Sequence, residues 1–131
     1  MIRVAKPGAQ IVVLDADRET LIVDSKDRTV YRKLLHFFCD TGKSRWIGKQ
    51  LPGLFLGAGL KHISVSADAL TITDLTLADG VFKLREMAEQ AQNAGAVTTS
   101  EAETWLQALK HADESGEFFA ALTMFCLSGA K

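Results

Sequence analysis

The chain has 131 residues, long enough for one domain with a modest core. It carries 15 Lys and Arg against 16 Asp and Glu, a net charge of −1, with 47% hydrophobic and 24% charged residues. These are ordinary globular proportions, and the balance offers no field of either sign for nucleic acid or an anionic membrane. No apolar run approaches the roughly 20 residues that a membrane span needs. The start of the chain lacks a signal peptide's apolar stretch, and Asp15, Asp17 and Glu19 come too early for one. The two cysteines, Cys39 and Cys126, are isolated in the apolar contexts "HFFCD" and "TMFCLS". They read as buried thiols in a reducing compartment, and the chain reads as cytoplasmic.

In chain order, Met1 to Ala5 read as the last turn of a helix and Lys6-Pro7-Gly8 as a turn. Ile11-Val12-Val13-Leu14 is continuously apolar and rich in β-branched residues, so residues 10–16 read as a strand buried on both faces, as in a parallel sheet. Asp15 to Glu19 form the loop at its carboxyl end. Ser25 is placed to cap a helix running to about Asp40, with Val30, Leu34, Phe37 and Phe38 on one stripe and Gly42 as the stop. "WIGKQLPGLFLGAGL" reads as a shorter helix ended by Gly59, with Pro52 in its first turn or at a kink. "KHISVSADALTITD" alternates twice and slips by one near Asp68, which predicts a strand bulged or bent at Ala67 to Ala69.

Thr76 and Asp79 have capping-box spacing and predict a longer helix whose buried stripe is Leu77, Val81, Leu84, Ala88 and Ala91, closed by Gly95. Thr98 and Glu101 repeat the device and open a last helix with Ala102, Trp105, Leu106 and Leu109 inward and Gly116 as its end. "EFFAALTMFCLSG" is apolar on both faces and reads as a central strand. The order is strand, helix, helix, strand, helix, helix, strand. That is α/β, with too few strands for a doubly wound sheet and a first strand that has no earlier partner. An unpaired apolar edge of this kind needs cover.

Few residues point to chemistry. Asp15 and Asp17 sit past the carboxyl end of the first strand, where open α/β sheets collect ligands, and are placed to bind a substrate amine or act as a base. Arg18 and Arg45 are candidates to grip an anion. Trp46 follows a polar stretch and is a candidate pocket wall. Phe118 and Phe119 open the last strand, so alternation sends one to the core and the other to a cleft. His36, His62 and His111 share no ligand spacing, so no metal site is expected. No serine sits on a strand-to-helix elbow, and "GLFLGAGL" lies in or after a helix, the wrong context for a phosphate loop.

One combination is more specific than its parts. "RVAKPGAQIVVLDADRETL", "WIGKQLPGLFLGAGL" and "GEFFAALTMFCLSGAK", in that order, resemble the C-terminal half of class I S-adenosylmethionine-dependent methyltransferases. The closest look is to the small-molecule group labelled methyltransferase type 11, or ubiquinone/menaquinone-biosynthesis-like. In that family a helix leads through R-V-x-K-P-G-G into the fifth strand. Here Arg3, Val4, Lys6, Pro7 and Gly8 match, and Ala9 replaces the second glycine. L-x-x-L-F-x-x-A-G-L, the helix before the sixth strand, is matched by Leu51, Leu54, Phe55, Ala58, Gly59 and Leu60. The last run looks like the seventh strand, which lies antiparallel between the fifth and sixth.

The resemblance covers essentially all 131 residues and implies a single partial domain. That domain is the C-terminal part of a Rossmann-like sheet, with three strands, about four helices, an antiparallel last strand and a helical insertion over about 75–116. Four strands of the family's sheet have no counterpart, nor has the glycine-rich loop or the acid that holds the cofactor's ribose. No cofactor residue can be carried over, and S-adenosylmethionine, the family's cofactor, is not expected to bind this chain alone. The implied function is the substrate-side portion of a small-molecule methyltransferase, inactive by itself. Asp15, Asp17, Arg18, Trp46 and Phe119 are then the substrate-facing residues. The implied partners are a small-molecule methyl acceptor and, over strand 10–16, an N-terminal half or a second copy; no nucleic acid or membrane is implied. The alternative is a non-catalytic assembly module derived from a methyltransferase, self-associating through its sheet edge.

Overall fold

The computed structural model describes residues 1–131. Its regular elements are β1 (Gln10–Ala16), β2 (Ile22–Val23), α1 (Arg28–Thr41), α2 (Leu51–Gly57), β3 (Lys61–Ile72), α3 (Leu75–Phe82), α4 (Leu84–Asn93), α5 (Thr99–Glu114) and β4 (Ala120–Ala130). Short 3-10 turns at Ile2–Val4, Arg18–Thr20 and Gly48–Gln50 lie between them. This is an α/β fold, as the apolar patterning predicts, with five helices and a four-stranded sheet rather than about four helices and three strands.

Every strand pairs with β4, and every pairing is antiparallel. β1 runs opposite Met124–Ala130 and β2 opposite Ala120 and Ala121, so the two lie end to end along one edge of β4. β3 occupies the other edge from Ala120 to Ala130. β1 and β3 therefore run parallel to each other with the reversed β4 between them. The parallel pairing that continuous apolar strands suggested does not occur here. The apolar run of β4 is instead explained by its central place.

Residues paired across antiparallel strands share a face. Ile11, Val13 and Asp15 lie with Gly129, Leu127 and Phe125, and beyond them Val65 and Ala67. This face is covered by α2 through a small core of Ile11, Leu51, Phe55, Leu60 and Leu127. Gly129 sets the approach: a Cβ there would lie 3.2 Å from Leu60 Cβ and 3.2 Å from Phe55 Cδ2. Pro52 sits in the first turn of α2, where its missing N–H costs nothing.

The second face carries the larger core of 21 residues, built where Leu122, Ala120 and Ile72 meet α1, α3, α4 and α5. That core stops at Ala16 and Met124. Beyond it Val12 and Leu14 remain 57% and 65% exposed. β1 is thus buried on one face only, a correction to the reading of its apolar run. β3 is similarly bare, with Ile72 its single buried residue. Its irregularity falls between Lys61 and Ser64, where His62 has φ 53°, and not at Ala67 to Ala69. The apparent slip at Asp68 reflects solvent on both sides of β3, which removes the need for strict alternation.

The helix ends follow local chemistry with two corrections. Asp27, not Ser25, caps α1: its carboxylate accepts from Val30 N at 3.0 Å, while Ser25 Oγ accepts from Trp105 Nε1 at 3.1 Å. The predicted Thr76 helix begins one residue earlier, under an Asp74 cap, and breaks at Lys83, whose φ of 62° is left-handed. Asp79 accepts from Arg85 N across the break instead of closing a capping box. The break resets the helical phase, so Ala78 and Phe82 are buried in place of Leu77 and Val81, while Leu84, Ala88 and Ala91 stay inward. The Thr98–Glu101 capping box is present with both bonds.

Thr98→Ala removes one of those bonds and is expected to lower stability by about 1 kcal/mol, read from the shift in a urea unfolding midpoint at unchanged slope. Glu101 is held below its usual range by the Thr98 N–H and by Lys33, so its contribution is present above the ordinary glutamate pKa and is lost as pH falls through the lowered value.

Candidate functional site

The carboxyl end of β1 leads into a turn pinned on three sides. Asp17 N donates to Thr123 O at 3.4 Å, and Thr123 N donates back to Thr20 Oγ1 at 3.0 Å, so the turn keeps the β4 ladder satisfied where β1 stops. Arg18 N donates to Arg45 O at 2.7 Å, tying in the segment after α1. Arg45 itself lies with its guanidinium 3.5 Å over the Phe38 ring and donates to Phe38 O, so it is engaged in holding the end of α1.

Asp17 is the buried centre of this arrangement, 1% exposed. Its Oδ1 accepts from Glu19 N at 3.0 Å and its Oδ2 from Lys49 N at 3.2 Å. Lys49 Nζ stands 3.7 Å from Oδ2 and pairs with Glu19, whose carboxylate raises the lysine's pKa. Two backbone donors thus hold the carboxylate, which makes Asp17 a clamp between the β1 turn and the Gly48–Gln50 turn. It is closed to a substrate in this arrangement. Sequence spacing could not find this role, because the partner lies 32 residues away. The available signal was Gly48, whose absent side chain makes room: a Cβ there would stand 2.9 Å from both Asp17 Cβ and Phe125 Cδ2.

The other expected site residues are divided. Asp15 is exposed on the face shared with Phe125 and Ala67, and its Oδ1 accepts from Ala16 N at 2.8 Å. Phe119 is 38% exposed while Phe118 is 2% exposed, the split that alternation predicts. Trp46 is 39% exposed beside the turn that Asp17 clamps. Arg18 turns toward the helical layer, its Nη1 donating to Val81 O of α3 at 3.3 Å. Asp15, Trp46 and Phe119 therefore remain open, Asp17 is enclosed, and Arg18 reaches another element.

The clefts lie elsewhere. The largest, about 390 Å³, runs between α3, α4 and α5 past Asp79, Arg85, Lys110 and Asp113. A second of about 380 Å³ lies along Asp27, Glu101 and Trp105. None of the four clefts is lined by any of the five expected residues. Around the second cleft Tyr31 stacks on Trp105 at 6.3 Å and donates its hydroxyl to Leu21 O. Burial raises the Tyr31 pKa, so this phenol serves packing. The same holds for Cys39, a buried free thiol pushed up to about 11. Cys126 is a free thiol and half-buried, not fully buried as its context suggested.

S-adenosylmethionine does not fit the residues present. No glycine-rich turn joins a strand to a helix, and every buried side-chain nitrogen or oxygen already has a partner. No group of three or more His, Cys, Asp or Glu side chains is arranged to hold a metal, and no helix is long and apolar enough to cross a membrane.

No family model matches the chain. It is 32% identical over 124 residues, 94% of its length, to a protein of Streptomyces fradiae described as an uncharacterized 37.1 kDa protein in transposon TN4556. The match spans 35% of that protein, so the chain covers about a third of the length of its curated relative.

Gly48→Ala is expected to destabilise the fold by about 1–3 kcal/mol, because the new methyl meets the Asp17 backbone and cannot be relieved by rotating a side chain. A melting point equal to that of the parent chain would contradict the clamp.

Proposed function

We propose that this chain is the substrate-side portion of an S-adenosylmethionine-dependent small-molecule methyltransferase, inactive alone and completed by an N-terminal part that holds the cofactor. The observation that carries this reading is the reversed strand. β4 lies antiparallel between β1 and β3, which run parallel to each other, and this is the order that the resemblance of the three sequence stretches implies for the last strands of that family. The free outer edge of β1 and the absence of any cleft at its carboxyl end also suit a portion whose pocket is finished by other polypeptide. In this reading the protein is cytoplasmic and its acceptor is a small molecule.

Within the portion, Asp15 is the acid open to the acceptor, and Trp46 and Phe119 are the aromatic side chains left exposed for it. Asp17 and Arg18 shape the loop rather than touch the acceptor. A second reading, a non-catalytic assembly module derived from a methyltransferase, draws on the same free edge of β1, through which copies would pair.

Calorimetric titration with S-adenosylhomocysteine discriminates these readings. The chain alone is expected not to bind it. Binding is expected when the remainder of the enzyme is supplied, and in that reconstituted enzyme Asp15→Asn should lose more activity than a substitution on the far side of α5. Tight binding by the chain alone contradicts the proposal, and so does equal loss in the two variants.

A further inference from the structure

The largest cleft, about 390 Å³ between α3, α4 and α5, holds none of the residues of the site described above. Its volume is that of a pocket for a small molecule. The floor is apolar: Leu84 and Leu109 are 1% and 2% exposed, and Leu75 and Leu106 pack against the larger core. The rim is charged, and its charges are sorted by sign.

Asp113, near the end of α5, accepts from Leu75 N at the start of α3 through Oδ1, at 3.0 Å. This contact sets the last turn of α5 beside the first turn of α3. Asp113 and Glu114 lie at that end of the cleft with the Thr76 hydroxyl. One turn back along α5 is Lys110 and one turn forward along α3 is Asp79, each about 5 Å further along its axis. Asp79 accepts from Arg85 N at 2.8 Å and stands 3.7 Å from Arg85 Nη2, which brings Arg85 to this second end. One end is therefore acidic, and at the other Arg85 and Lys110 outweigh Asp79.

These charges do not neutralise one another within the chain. None of its four ion pairs uses Lys110, Asp113 or Glu114. Lys110 and Glu114 have the spacing of a helical pair, but a lysine that precedes its glutamate is the weaker orientation. Asp113 keeps its second oxygen free, and the loose contact with Asp79 leaves the Arg85 side chain 77% exposed. An ordinary solvated helix face has no concavity beneath its charges; here they stand around a floor of leucines.

We propose that this cleft binds a small aliphatic zwitterion, an ammonium and a carboxylate joined by a short methylene spacer. The ammonium is taken by Asp113 and Glu114, with the Thr76 hydroxyl as a further acceptor. The carboxylate meets Lys110 and the Arg85 guanidinium, whose planar fork matches it. The methylenes cover the leucine floor. An anion without the ammonium would leave the two acids unmatched, and an amine without the carboxylate would leave the two cations unmatched. The site shares no residue with Asp15, Trp46 and Phe119 and does not depend on the methyltransferase reading.

The probe is 6-aminohexanoate, titrated into the whole chain and followed by the amide shifts of Thr76, Lys110 and Asp113. Hexanoate and hexylamine are the single-ended controls. The zwitterion is expected to bind about tenfold more tightly than either control. Lys110→Gln should weaken the zwitterion by about tenfold and leave hexylamine no weaker. Asp113→Asn, which keeps the oxygen that accepts from Leu75 N, should weaken the zwitterion similarly and leave hexanoate no weaker. Lys110→Gln, at an exposed position, decides the matter if Asp113→Asn loosens the start of α3. Equal binding of the three probes overturns the proposal and leaves an apolar cleft. Absence of shifts at these amides overturns it too, as does tighter zwitterion binding that neither substitution weakens.

Discussion

β4 holds the molecule together. Each of the other strands forms its ladder with β4 and with nothing else, and both cores take side chains from it: Leu127 on one face, Ala120 and Leu122 on the other. β4 follows the other three strands in chain order, so none of their ladders forms before it is in place. β1 waits more than a hundred residues for its partner, as the pairing of Gln10 with Ala130 shows. Such separation makes the ladder costly to close, and the fold depends on the apolar burial along β4 to offset it.

What the sequence reveals about this arrangement depends on how local each cause is. The Thr98–Glu101 box was legible because both partners lie within one turn, and Phe118 and Phe119 because alternation needs only one covered face. Ser25 and Asp27 were both chemically fit to cap α1, and the choice between them was made by Trp105, 80 residues away. The break at Lys83 was hidden because lysine is a good helix former, yet there it takes a left-handed φ of 62° between Phe82 and Leu84, both buried in the larger core. The apolar character of β1 was plain, but which face was covered was not, since cover depends on how far the helical layer extends.

The candidate site divides along the same line. Asp15 and Phe119 were placed by position at strand ends and Trp46 by the polar stretch before it, and all three are exposed. Asp17 looked equivalent to Asp15 in the sequence, two residues on. One backbone turn brought it under Gly48 and Lys49, where its carboxylate accepts from the Glu19 and Lys49 backbone N–H groups. The burial that makes Asp17 valuable to the fold removes it from the acceptor's reach. Val12 and Leu14 have the opposite character: they are exposed on the half of the sheet face that the larger core does not reach.

If β4 is the element that unites the two faces, the small core around Leu127 and the large core around Leu122 unfold together. Native-state hydrogen exchange across a denaturant series tests this directly. The amides of Leu122 and Leu127 are expected to converge on a single isotherm at the global unfolding free energy. Separate isotherms, with Leu127 opening while Leu122 stays protected, would contradict the account.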